Sequence, residues 1–292
     1  TRNPESKIVP PGILYDTSFA TDPNVDPPEK QIIEFVTIAD TADGTSIDGF
    51  IISGDNPNIN GYDFAGMNLE STNGVISKAA DNVQFSNNIV RDLTRNGFWA
   101  NSSVNAFIND QNNTVQNVLV NQNKFTNIQD ENPLGGSSIY IQGTSGTVSD
   151  NVIRNSINGI QIQPYNQSLS GTVSGNDIEV YESGIWYNFA NSSSGPWQIE
   201  QNSIKGTNPP NTGGGSPFFF RCIQETTIDP GAAGATFQEN DLDGGGISSS
   251  SSDFSTVQGY IVFSSDASGT FTNNSLLNFD TYINNFVTFP LD

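Results

Sequence analysis

Short bursts of apolar residues alternate with runs of Asn, Ser, Gly and Asp along the chain, and no stretch holds a helical period between capping residues. One unit recurs: an apolar residue, Asn three positions on, and a second apolar residue two further. It stands at Phe85-Asn88-Val90, Val120-Asn123-Phe125, Val148-Asn151-Ile153, Val173-Asn176-Ile178, Ile199-Asn202-Ile204, Phe237-Asn240-Leu242 and Phe271-Asn274-Leu276. A degenerate earlier copy, Ile47-Phe50-Ile52, has Phe in the Asn position. A second β-type segment follows most units, usually behind Gly. These are Gly97-Phe98-Trp99, Ile139-Tyr140-Ile141, Gly159-Ile160-Gln161-Ile162 and Gly184-Ile185-Trp186-Tyr187, then Pro217-Phe218-Phe219-Phe220 and Gly259-Tyr260-Ile261-Val262. β-Branched and aromatic residues bounded by Gly, Asn and Ser predict short strands.

The Asn residues recur at intervals of 35, 28, 25, 26, 38 and 34. A repeat of that length with two or three strands predicts one coil of a parallel β-helix. A propeller blade needs about 40 residues and four strands joined by hairpins. Equivalent strands then stack about 4.8 Å apart. An Asn at one fixed position is expected to point inward, adopt the left-handed turn conformation and hydrogen-bond the next Asn in the stack. Asn88, Asn123, Asn151, Asn176, Asn202, Asn240 and Asn274 are therefore read as a structural ladder. The fold class is all-β, a solenoid of about ten coils.

These units resemble the right-handed parallel β-helix repeat of pectate-lyase-like proteins and of many bacterial surface proteins. The resemblance covers roughly residues 47–276, implies the right-handed winding, and says little about function. No composition shift divides the chain, so one domain is expected over 1–292. Its parts are an irregular first coil with a long loop in 1–45, regular coils over 46–276 and a C-terminal end in 277–292. No capping helix precedes Ile8. A fragment of a longer protein, with flanking domains as partners, is the expectation.

Composition narrows the chemistry. The chain has 31 acidic and 10 basic residues, a net charge of −21, no His and one Cys. Without His there is no Ser-His-Asp triad and no His metal ligand. One Cys excludes an internal disulfide and a Cys-based zinc site. The charge argues against nucleic acid, which needs cations to replace counterions, and against docking on anionic lipid. No apolar run approaches the roughly 20 residues that span a bilayer. The Asn- and Ser-rich, Lys-poor composition suits an extracellular or cell-surface protein.

Three classes of function stay open. The favoured one is a surface or adhesin-like domain that binds a polysaccharide or cell-surface glycan, or acts as a scaffold. The outward position of the second strand carries Trp99, Tyr140, Gln161 and Trp186, with Phe219 and Ile261 aligned behind them and Phe98, Ile139, Ile160, Ile185 and Phe218 inward. Aromatic faces on successive coils suit sugar rings; the alternative is that loops bury them. The second class is a polysaccharide lyase or glycoside hydrolase working through carboxylates. Asp177, Glu179, Glu182 and Glu200 lie on neighbouring coils and could form a hydrolytic carboxylate pair, and Arg154 or Lys205 would be a lyase base beside acidic residues. The column Arg91, Thr126, Arg154, Glu179, Lys205, Asp243, Leu277 also reads as a row of exposed cross-coil ion pairs. The His-containing signatures of polygalacturonase-like and epimerase-like enzymes are absent. The third class is a structural filament or spacer. No cofactor is called for; Asp150, Asp177 and Asp241 are the carboxylates available to calcium. Cys222 reads as a buried small apolar residue.

Overall fold

The computed structural model describes residues 7–8, 33–55, 72–102, 115–129, 136–164, 169–190, 196–207, 220–227, 235–245, 260–263 and 270–278. All regular structure among them is β-strand, and every strand pair is parallel. The chain winds through three faces per coil. The first face is an eight-stranded sheet running from Ser46–Asp48 to Thr270–Thr272. The second and third faces form one fifteen-stranded sheet. They join because two long strands, Val152–Gln163 and Asp177–Ala190, run through the corner between them. The start of Val152–Gln163 pairs with Lys124–Ile128 and its end with Ser137–Gln142. The protein is a parallel β-helix. Nine rungs are described on the second face and eight on each of the others, close to the expected number of coils.

The register matches the apolar repeat. Phe85, Val120, Val148, Val173, Ile199, Phe237 and Phe271 stack on the first face. Val90, Phe125, Ile153, Ile178, Ile204 and Leu242 stack on the second. Phe98, Ile139, Ile160 and Ile185 stack on the third. All are buried and together form one core, each large side chain contributing about 1.5–3 kcal/mol of apolar burial. Trp197 is also inward and wholly buried. It fits because Gly171 lies opposite on the preceding coil; a Cβ there would stand 2.5 Å from the indole.

The Asn ladder holds the corner between the first and second faces. In Asn123, Oδ1 accepts the Asn88 main-chain N–H at 2.9 Å and its side-chain N–H at 3.0 Å. Its Nδ2 donates to Phe85 O at 2.8 Å and to Asn151 Oδ1 at 3.0 Å. The same set repeats through Asn151, Asn176, Asn202 and Asn240, and Asn274 takes the last described rung, its Nδ2 donating to Phe237 O at 3.0 Å. Only an amide offers an oxygen with two acceptor sites and a nitrogen with two donors at that reach. Phe50 enters the ladder through its main chain, whose N–H donates to Asn88 Oδ1 at 2.9 Å.

One expectation about this corner is corrected. The left-handed residue is not the ladder Asn but the one before it. Gly49, Asn87, Gln122, Asp150, Gly175, Gln201, Glu239 and Asn273 all have φ between 53° and 77°. The turn reverses the chain one residue earlier, leaving the Asn free to face inward. Glycine fills only two of these eight positions, so no glycine pattern marked them. A second amide ladder opens the third face. Asn96 donates its N–H and Nδ2–H to Asn73 Oδ1 at 3.2 and 3.1 Å, and Ser137 N–H donates to Asn96 Oδ1 at 3.0 Å. Its signal was the Asn-Gly pairs Asn73-Gly74 and Asn96-Gly97, each just ahead of a buried third-face residue.

Candidate functional site

Alternation along the third face directs Trp99, Tyr140, Gln161 and Trp186 outward, and their register places them in one column on successive coils. Outward is not the same as solvent-exposed here. Trp99 is only 5% exposed and Gln161 9%, whereas Tyr140 and Trp186 are half-buried. In the next outward column Asn101, Gln142 and Gln163 are buried as well, behind a half-buried Lys78 that pairs with Glu34. Polar groups withdrawn from water need partners, and these have them. Trp99 Nε1–H donates to Gln142 Oε1 at 2.9 Å. The Tyr140 hydroxyl hydrogen-bonds Gln163 Oε1. Ser137 Oγ donates to Gln161 Oε1 at 3.1 Å. The Trp99 and Tyr140 rings stack with centroids 5.6 Å apart and planes within 10°, an arrangement worth about 0.5–1.5 kcal/mol beyond burial. Trp99 thus serves as the bed on which Tyr140 lies. Tyr140 and Trp186 are the aromatic groups of the set that reach solvent.

The rest of this column differs from expectation. Phe218 and Phe219 lie outside the described residues. The strand Arg221–Thr227 takes the next rung, with Ile223 opposite Ile185 and Gln224 opposite Trp186. Ile261 is in backbone register with Ile223, one position from where its Gly-led segment suggested. Segment spacing fixed the rungs only to within a few residues where long connections intervene.

The second face carries the charged column in the expected register, Arg91, Thr126, Arg154, Glu179, Lys205, Asp243 and Leu277. Arg154 binds Asp177 through Nη2 and lies 3.5 Å from Glu179. It also donates to Asp177 O at 2.8 Å. Glu182 faces Arg221 at 3.8 Å. Glu200 stands on the first-face strand Trp197–Glu200, across the ladder corner from Asp177 and Glu179, and accepts Gln238 Nε2–H at 2.6 Å. The four carboxylates do not converge on a shared cleft with Arg154. Asp177 and Asp241 share a column with Ser203 between them, while Asp150 sits in the left-handed corner of another column. No cluster of three potential metal ligands forms among the described residues.

With few cations available, amides supply the donors that carboxylates need. Asn127 donates to Asp92 at 2.9 Å, Asn87 to Asp48 at 2.6 Å, Gln201 to Glu239 at 3.0 Å and Asn278 to Asp243 at 2.7 Å. These cross-coil bonds let acidic residues stack beside amides rather than beside each other. Cys222 is wholly buried, and burial, followed by the Asp243 charge, pushes its thiol well above its ordinary value of 9.0. It is unsuited to act as a nucleophile.

A family model described as Protein of unknown function (DUF1565) matches residues 100–243, just under half of the chain. That family is one of parallel β-helix proteins. The matched run contains the outward third-face positions from Tyr140 to Trp186 and five ladder Asn residues, Asn123 to Asn240. No curated protein matches the chain.

Proposed function

We propose that this β-helix is a non-catalytic glycan-binding module of an extracellular or cell-surface protein, with the third face as its contact surface. The observation that carries the reading is the pair of half-exposed rings, Tyr140 and Trp186, flanking Gln161 in one column. Tyr140 is held rigid by its stack on Trp99 and its bond to Gln163. Pre-organised aromatic faces beside amides suit sugar rings, which present an apolar face and polar edges. The carboxylates favour this over hydrolysis or elimination, because Asp177 and Glu179 share Arg154, Glu182 faces Arg221 and Glu200 accepts from Gln238. In this reading Trp99 and Gln161 support the site rather than touch the ligand.

The test is retention on a panel of neutral and uronic-acid polysaccharides. Trp186→Ala should weaken a bound glycan about fivefold to tenfold, the loss of one stacking contact of roughly 1 kcal/mol, with an unchanged melting temperature. Unsaturated or reducing-end products would establish an enzyme instead. A parent protein retained by no member of the panel would leave the scaffold or spacer role.

A further inference from the structure

The first face contains a feature that the repeat does not require. The strand Val115–Asn121 holds one residue more than its neighbour Thr144–Ser149, since Val115 pairs with Thr144 while Val118 pairs with Gly146. The extra residue makes a β-bulge, and within it Asn117 takes a left-handed φ of 62°. Bulges re-aim side chains and locally open a sheet surface. Here the bulge borders an open trough of about 360 Å³ that crosses three coils, lined by residues 117–119, 145–147 and 170–172. Such a volume lies within the range of small-ligand sites.

The lining has a definite chemistry. Asn117 N–H donates to Ser145 Oγ at 3.3 Å, and Asn117 Nδ2 donates to Asn82 Oδ1 at 3.1 Å. That leaves the Asn117 side-chain oxygen and the Ser145 hydroxyl proton uncommitted among the described residues. Thr147 and Thr172 are in register on adjacent coils and half-exposed. Ser170 is exposed, and Leu119 adds a half-exposed apolar patch. No charged side chain lines the trough, although the chain carries a net charge of −21. An anionic ligand would meet no counter-charge there. A neutral ligand with several hydroxyls and an apolar flank would meet donors, acceptors and Leu119 together.

We propose that this trough is a second binding site, for a neutral saccharide, separate from the third-face column. The inference rests on the reading of the domain as a glycan binder and adds both a location and a ligand class. Thr147 and Thr172 are the residues that carry it, with Asn117 and Ser145 setting the edge.

The experiment is titration calorimetry of the full chain with neutral gluco-, manno- and galacto-oligosaccharides and, separately, with an oligogalacturonide. The variants are Thr147→Val with Thr172→Val, which remove two hydroxyls and keep β-branched side chains in the strands, and Trp186→Ala. The expected result is binding of a neutral oligosaccharide that falls at least fivefold in the double Val variant, with an unchanged melting temperature. Neutral binding that depends on Trp186 but not on the two Thr residues would overturn the trough and keep the third-face reading. Neutral binding that depends on the Thr residues alone would keep the trough and overturn the third-face contact. Preference for the oligogalacturonide at the Thr site, or no binding of any saccharide, would overturn the trough proposal.

Discussion

Arg154 and Gln161 stand on one continuous strand, and Glu179 and Trp186 on the next. In each strand the first residue belongs to the outer surface of the second face and the second to the outer surface of the third. The backbone pairing is parallel on both faces, with the same register at Arg154–Glu179 and Gln161–Trp186 and an irregularity between them at residues 154–158, yet the environments are opposed. On the second face, Arg91 and Lys205 are exposed and Glu179 is half-exposed. On the third, Trp99, Gln142, Gln161 and Gln163 are nearly withdrawn from water. The chemistry follows from that difference. The long charged column stands on the solvated face, where desolvation is small, while Lys78 on the third face is held by Glu34 at 2.8 Å. Aromatic rings and amides occupy the covered face, and the polar atoms that bind there do so to each other. The β-helix backbone therefore sets where side chains stand, while their surroundings decide what they do.

The largest test of this contrast is Trp99→Ala. Removing a buried indole that stacks on Tyr140 and bonds Gln142 should cost about 3–5 kcal/mol, read from urea denaturation monitored by circular dichroism. It should also loosen Tyr140, seen as a change in tyrosine fluorescence. A loss below about 1 kcal/mol would put Trp99 in the same class as the residues of the second face and erase the contrast.

The two faces also differ in how far the sequence foretold them. The inward columns and the Asn ladder follow from periodicity, because stacking identical coils forces equivalent residues into register. The charged column followed from the same register, and so did the outward direction of Trp99, Tyr140 and Trp186. The burial of Trp99 did not. A period of two separates inward from outward, but burial of an outward side chain depends on contacts beyond its own sheet, which carry no period. The bulge at Asn117 escaped for a related reason: one inserted residue leaves the apolar spacing of Val118 and Val120 intact. The left-handed corner escaped because Asn, Gln, Asp and Glu fill most of it in place of Gly. The second ladder was legible in Asn73-Gly74 and Asn96-Gly97, but those pairs also read as ordinary turn signals.

A test of intermediate size uses Cys222, which sits where the two faces meet. Its Sγ lies 3.9 Å from Ile204 O and 3.8 Å from Asp243 O. Burial raises the thiol well above 9.0, and the nearby Asp243 carboxylate raises it further. The folded protein then keeps this proton at a pH where the unfolded chain releases it. Stability is fully present below about pH 9 and falls as pH rises beyond it, by about 1.4 kcal/mol per pH unit for one group. Tyr181 acts with the same sign from its ordinary value of 10.0 upward, raised first by burial and also by Glu179, against the hydrogen bond from Gln129. Urea midpoints measured across this alkaline range should decline in the parent protein. In Cys222→Ala the decline should begin about one pH unit later. An unchanged onset would mean that the thiol is solvated and that the junction of the faces is open to water.

The smallest expected effect belongs to Arg154. It has the best partners of the second-face cations: Asp177 beside it on the next coil, Glu179 at 3.5 Å and two main-chain carbonyls at 2.8 and 2.9 Å. Even so, its side chain is 29% exposed, and those of Asp177 and Glu179 are 53% and 37% exposed. Water and salt compete for all three, so exposed pairs of this kind contribute about 0–1 kcal/mol. Screening over roughly 8–10 Å at physiological ionic strength reduces this further. Arg154→Ala is therefore expected to lower stability by less than about 1 kcal/mol, and raising the salt concentration should shrink the difference. Arg154→Met separates the charge from the packing of the long stem, which covers apolar surface of its own. If the stem matters more than the charge, Met should recover most of the small loss at any salt concentration. A loss above about 2 kcal/mol that salt does not change would show Arg154 to be held as tightly as Trp99, and the two faces would then be alike.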